Sequence, residues 1–202
     1  MEEALRYALE LMESRAGAYV VTPNPEIVML SRKDEKLQDA IENAALVLPD
    51  GIGIIKGALI LGTPLKQKLP GIDFAQELFA KMAEREMSVF LFGARDGVAK
   101  RASKSLAARF NGLKIVGFAN GYFTDDAPIV EKINAAAPDL LLVCLGAPKQ
   151  ELWMQNHARA FPSLNVGLMA GLGGSLDIFA GDVTRAPELW QSLGLEWLYR
   201  LI

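Results

Sequence analysis

Six short apolar runs punctuate the chain, at 18–21, 45–48, 88–92, 114–118, 139–145 and 165–169. Runs of this length read as buried parallel strands. Between them, at 74–86, 98–110, 127–136 and 149–160, apolar positions recur at helical spacing, and residues 1–15 form a further charged, amphipathic stretch. Strand and helix patterns that alternate predict an α/β fold: a Rossmann-like parallel sheet covered by helices on both faces, with right-handed crossovers. No low-complexity linker, charge block or repeat divides the chain, so 1–202 reads as one domain.

Composition narrows the function classes. A chain of 202 residues can bury a sizeable core. A net charge of −3 gives no chain-wide attraction for nucleic acid or an anionic bilayer, although a local basic patch is compatible with it. The single cysteine, Cys144, sits within an apolar run and reads as core; one cysteine excludes an intramolecular disulfide. No stretch reaches the roughly 20 apolar residues that span a bilayer, and the N-terminus is not a secretory signal, so a cytoplasmic protein is expected. Towards the C-terminus Leu189, Trp190, Leu193, Leu195, Trp197, Leu198, Leu201 and Ile202 crowd a helix pattern that stops without a polar cap, as a truncated chain would. That stretch and the apolar run 53–61 are expected to bury each other or to form a homo-oligomer face.

In open parallel sheets ligands bind beyond the carboxyl ends of the strands, so the residues after each run are the candidates. Thr22-Pro23-Asn24-Pro25-Glu26 follows the first; Asn24 before a proline is also what a helix N-cap requires. Pro49-Asp50-Gly51-Ile52-Gly53 follows the second, with Asp50 either a helix cap or a general base. Lys68-Leu69-Pro70-Gly71-Ile72-Asp73 adds a cation and a carboxylate before a helix, where Asp73 is equally an N-cap candidate. Gly93-Ala94-Arg95-Asp96-Gly97 is a strand-to-helix turn suited to a phosphate or nucleotide. Gly146-Ala147-Pro148-Lys149-Gln150-Glu151 gathers a cation, an amide and a carboxylate on one helix start, more polar chemistry than a cap needs. Gly171-Leu172-Gly173-Gly174-Ser175-Leu176-Asp177 lacks the dinucleotide spacing, since Leu176 stands where the last glycine belongs, and this weakens a nicotinamide oxidoreductase reading. Ala180 to Pro187 carries Arg185.

Other chemistries lack their residues. His157 has no metal-ligand company and reads as solvated surface. No phosphate-binding loop of the G-x-x-x-x-G-K-[ST] type and no G-x-S-x-G elbow occurs, and Asp125-Asp126 reads as a capping loop rather than a metal-binding D-x-D.

Taken in order, the Thr22, Asp50, Pro70-Gly71-Ile72-Asp73, Gly121-Tyr122-Phe123, Gly146 to Glu151 and Gly173 to Pro187 segments resemble the WecG/TagA/CpsF glycosyltransferase family, most closely its TagA branch, over nearly the whole chain. The resemblance implies transfer of N-acetylmannosamine from its UDP donor to the 4-hydroxyl of lipid-linked N-acetylglucosamine diphosphate, with inversion, no cofactor and no essential metal. It implies a protein held peripherally on the inner face of the cell membrane when the family's basic tail is present, that tail also supplying cations to the leaving diphosphate. It implies Asp50 as the base, Thr22, Asn24, Asp73, Gln150 and Arg185 as donor or acceptor contacts, and Gly93 and Gly173 as close-approach points for the nucleotide. Lys68, a further donor or acceptor contact in this resemblance, stands where the family usually carries arginine, and the family generally continues into a basic tail past the segment resembling 195–201. Other UDP-sugars as donor, or a non-catalytic nucleotide-sugar binder, remain alternatives.

Overall fold

A computed structural model describes residues 1–160, 164–187 and 190. In chain order it contains α1 (Glu2–Ser14), β1 (Ala18–Val21), α2 (Pro25–Ser31), α3 (Glu35–Glu42), β2 (Leu46–Val47), α4 (Ile52–Ile60), α5 (Gly71–Glu84), β3 (Ser88–Gly93), α6 (Val98–Arg109), β4 (Lys114–Ala119), α7 (Ala127–Ala136), β5 (Leu140–Cys144), α8 (Lys149–Arg159), β6 (Leu168–Gly171) and α9 (Ser175–Phe179). The six strands form one sheet in the order β2-β1-β6-β5-β3-β4, every pairing parallel. This is the expected α/β architecture. The apolar pattern around residues 188–202, apart from Trp190, lies outside the described residues.

Strand side chains alternate between the two faces, and so does the core. Val20, Val89, Leu91, Leu140, Leu142, Leu168 and Ala170 pack with α1, α5, α6 and α9. Tyr19, Val21, Phe90, Phe92, Leu141, Val143 and Met169 pack with residues of α7 and α8 on the other face. Phe79 of α5 is fully buried and holds the first layer together, its ring against those of Phe110 and Phe179. Truncating such a side chain to alanine costs about 3–5 kcal/mol. Cys144 is buried as expected, and burial pushes its thiol up to about 12.

The two rim strands depart from the expectation of buried strands. A rim strand has one hydrogen-bonding neighbour, and here only part of its surface is covered: Val47 of β2 and Val116 and Phe118 of β4 stand exposed. In β4 the register slips by one, with Ile115 opposite Val89 and Gly117 opposite Phe90, so Val116 is an extra residue. Gly117 is required there because the Phe90 ring lies 2.5 Å from where a Cβ would stand.

His157 also differs from expectation. Its Nε2 lies 3.0 Å from Asp126 Oδ2, the same oxygen that accepts from Trp153 Nε1 at 2.7 Å, and its ring rests on the Trp153 ring. Burial pushes the Asp126 carboxyl up, but the bonds from His157 and Trp153 outweigh it and hold the group below its ordinary value. Asp126 thus ties the start of α7 to α8, while Asp125 Oδ1 makes the local turn contact to Ala127 N.

Two clefts at the strand ends

A crevice opens in a parallel sheet where neighbouring strands send the chain to opposite faces. After β1 the chain runs to α2 and α3, and α3 packs on α8; after β6 it runs to α9, which packs on α6. After β5 it runs to α8, and after β3 to α6. Crevices are therefore dictated beside β1 and β6, and again between β5 and β3. The structure has a cleft at each.

The smaller, about 480 Å³, is lined by Thr22, Asn24, Asp50, Gln150, Gly173 and Arg185, together with Gly71 and Asp177. Thr22 is buried and its hydroxyl donates to the Gly171 carbonyl at 2.9 Å, which fixes its rotamer across the β1–β6 pair. Asn24 does both things its sequence allows: its Oδ1 accepts from Ile27 N at 2.9 Å as the N-cap of α2, and its side chain borders the cleft.

Asp50 does not cap the helix that follows it. Gly51, at φ +93°, occupies that position without a side-chain cap bond. The Asp50 backbone N–H donates to Pro23 O at 3.1 Å, and its Oδ2 accepts from the backbone N–H of Gly71 at 3.3 Å. Gly71 is the first residue of α5, where backbone donors lack helical partners, so the half-buried carboxylate is met by the favourable end of the helix. A side chain at Gly71 would press on Leu172 and Thr22, at 3.1 and 3.2 Å from its Cβ, so these elements meet closely around Asp50.

Gln150 is buried at the start of α8 and connects both sides of the cleft floor. Its Oε1 accepts from Gly173 N at 3.0 Å, and its Nε2 donates to Glu151 Oε1 at 2.8 Å. Burial raises the Glu151 carboxyl above the usual carboxylate range. Gly173, at φ +53°, has open space where a Cβ would stand. Arg185 grips Asp73 with two nitrogens, Nη2 to Oδ2 at 2.9 Å. Asp73 thus orients Arg185 rather than lining the cleft, and Lys68 lines neither cleft.

The larger cleft, about 960 Å³, is lined by Ala94, Arg95, Gly121, Tyr122, Lys149 and Asp177 among others. Gly93 underlies it. At φ +132°, a Cβ on Gly93 would lie 2.2 Å from the Cys144 carbonyl oxygen, so the glycine is demanded by the close approach of β5. Lys149 Nζ sits 3.9 Å from the centre of the Phe123 ring and donates to Gly121 O at 3.0 Å. Asp177 borders both clefts, which meet at this residue. The sequence shows Asp177 only as the end of a glycine turn, and no local signal marks it. Among the described residues, no three His, Cys, Asp or Glu side chains gather as a metal-ligand set.

The whole chain, residues 1–202, matches the Glycosyl transferase WecG/TagA/CpsF family. It is 34% identical to an N-acetylglucosaminyldiphosphoundecaprenol N-acetyl-beta-D-mannosaminyltransferase of Bacillus spizizenii, over 95% of this chain and 73% of that one. It is 35% identical to the protein of that name in Bacillus subtilis strain 168, over the same shares. With the one in Staphylococcus aureus strain NCTC 8325 it shares 34% identity over 94% of this chain and 74% of the relative.

Proposed function

The chain belongs to the WecG/TagA/CpsF family of glycosyl transferases, and we propose that it moves N-acetylmannosamine from a UDP donor to the 4-hydroxyl of a lipid-diphosphate-linked N-acetylglucosamine, with inversion and without a resident metal. The names of its relatives supply the donor sugar and the acceptor class. The observation that carries the reading is the convergence of Asp50, Thr22, Asn24 and Gln150 on one cleft that joins a larger one at Asp177.

In this reading the nucleotide occupies the larger cleft, where Arg95 and Lys149 offer cations to a diphosphate and the exposed Tyr122 ring offers a face to a base. The sugar extends past Asp177 towards Asp50. The acceptor hydroxyl gives its proton to the Asp50 carboxylate while its oxygen bonds the anomeric carbon from the side opposite the diphosphate. The bond from that carbon to the diphosphate oxygen breaks, and its electron pair leaves with UDP. Thr22 and Asn24 orient the reacting sugars, Gln150 holds the Gly173 turn against the donor, and Arg185, oriented by Asp73, adds positive charge on the cleft wall.

The test is UDP release from UDP-N-acetylmannosamine, with and without a water-soluble short-chain acceptor, for the chain and its Asp50→Asn variant. Acceptor-dependent release that falls at least about 100-fold in the variant, with UDP binding kept, is the expected result. Equal turnover in a folded Asp50→Asn protein would remove Asp50 as base. UDP binding without any release would favour the nucleotide-sugar binder, and release from UDP-mannosaminuronic acid or UDP-glucose alone would change the donor.

A further inference from the structure

The helix that begins two residues after the proposed base, α4, contributes no buried residue to the core. In α4, with the sequence IGIIKGALI, none of the residues is buried, although eight of the nine are apolar or glycine. Ile52, Ile54 and Ile55 are half-buried, and exposure rises along the helix to 66% at Leu59, 84% at Ile60 and 80% at Leu61 just beyond it, with Leu65 at 41%. A helix apolar on all sides belongs in a protein core or in lipid. Nine residues reach about 14 Å, too short to cross a bilayer, so lipid contact here means lying in the interface.

Charge separates lipid from other occupants. Residues 51–70 hold Lys56, Lys66 and Lys68 and no acidic side chain, in a chain whose net charge is −3. Exposed apolar side chains alternating with lysines, in an otherwise acidic molecule, match an anionic lipid surface, which takes up the first and attracts the second. A second copy of this chain would bring the same cations face to face. The neighbouring helix extends the apolar surface. Pro25, at the start of α2, fills the space beside Gly53, and α2, itself without a buried residue, exposes Met29 at 56% and Leu30 at 38%.

We propose that α4 and the loop after it, with Leu59, Ile60, Leu61, Lys56 and Lys66, dock the protein on an anionic phospholipid bilayer and set the mouth of the Asp50 cleft at headgroup level. The functional purpose rests on the transferase reading, since a lipid-linked acceptor presents its sugar at that level. The docking itself does not.

Vesicle flotation of the whole chain measures docking without any turnover. The chain is expected to float with vesicles of phosphatidylglycerol and cardiolipin, to float poorly with phosphatidylcholine, and to lose binding as salt rises. Ile60→Glu/Leu61→Glu and Lys56→Glu/Lys66→Glu should each weaken flotation by at least about tenfold, about 1.4 kcal/mol. Release of UDP with the water-soluble acceptor should stay within about twofold of the parent in Ile60→Glu/Leu61→Glu, which separates docking from chemistry and shows that the variant is folded. A fluorophore on Ile60→Cys reports position, because buried Cys144 will not take the label. Its emission should shift to the blue only when anionic vesicles are added. Unchanged flotation of the Glu variants overturns the proposal. So does a label already blue-shifted without lipid, which would mean that the chain itself or a second copy covers α4; sedimentation of the Glu variants then tells the two apart.

Discussion

Arg185 and Asp73, 112 positions apart in sequence, meet in a two-pronged ion pair that joins the segment after α9 to the first turn of α5. Both side chains are partly buried, so the pair is screened less than a surface one but still faces solvent. Asp73→Asn should lower stability by about 1 kcal/mol, a fall in Tm of about 2–4 °C for a chain of this size. A double-mutant cycle with Arg185→Met, read by urea unfolding, should return a coupling of similar size. Additive effects would mean that the two groups act independently.

Gln150 is expected to be worth more than its size suggests. Replacing it with methionine keeps the volume but removes the acceptor for Gly173 N and the donor to Glu151. Leaving such groups unsatisfied costs about 1–3 kcal/mol. UDP affinity, measured by calorimetry, should fall along with stability, because the Gly173 turn loses its anchor. A stability loss with unchanged UDP binding would remove Gln150 from the donor site.

Glu151 predicts an unusual pH dependence. Burial raises its carboxyl above its ordinary value of 4.5, and among the described residues its Oε2 has no hydrogen-bond partner. Between 4.5 and that raised value the folded chain binds more protons than the unfolded one, so this group costs stability as pH rises through the window and nothing below it. Glu151→Gln removes the cost. The Tm difference, variant minus parent, should therefore grow as pH rises above 4.5 and level off once the group is ionised in the folded chain as well. A difference that stays flat, or falls as pH rises, would contradict the raised carboxyl.

Two glycines should respond in opposite directions to alanine. Gly93→Ala forces a Cβ to within 2.2 Å of the Cys144 carbonyl at a positive φ, and should cost about 3 kcal/mol or more. Gly57, in α4, has no atom of the described residues within 4 Å of a Cβ, and Gly57→Ala should stabilise by about 0.5–1 kcal/mol. Thermal melts of the two variants decide this, and a tolerated Gly93→Ala would show that β3 and β5 can separate at their ends.

The sequence announces its strands because a parallel strand carries its own signal: Leu140 to Leu145 is apolar throughout whichever neighbours it pairs with. Strand order is different. Nothing local to Ala18–Val21 says that it pairs with Leu168–Gly171, since that choice depends on how each crossover returns to the sheet. The rim positions of β2 and β4 follow from this order, which is why their exposure was not legible. Thr22, Asp50 and Gln150 stand out as candidates from pattern alone because a parallel sheet carries its strand ends to one edge, and they line one cleft. Asp177 and the His157–Asp126–Trp153 contact could not be found this way, because each depends on elements brought together from distant parts of the chain.

The extra residue in β4 bears on how the molecule behaves when crowded. A straight rim of six residues with Phe118 exposed would offer its backbone to any passing extended chain, which is how strand-on-strand aggregation begins. With Val116 out of step, the spacing of donors and acceptors along that rim no longer matches a regular strand. At the opposite rim β2 is only two residues long and gives too short a template. Both rims of the described sheet therefore discourage growth by strand addition.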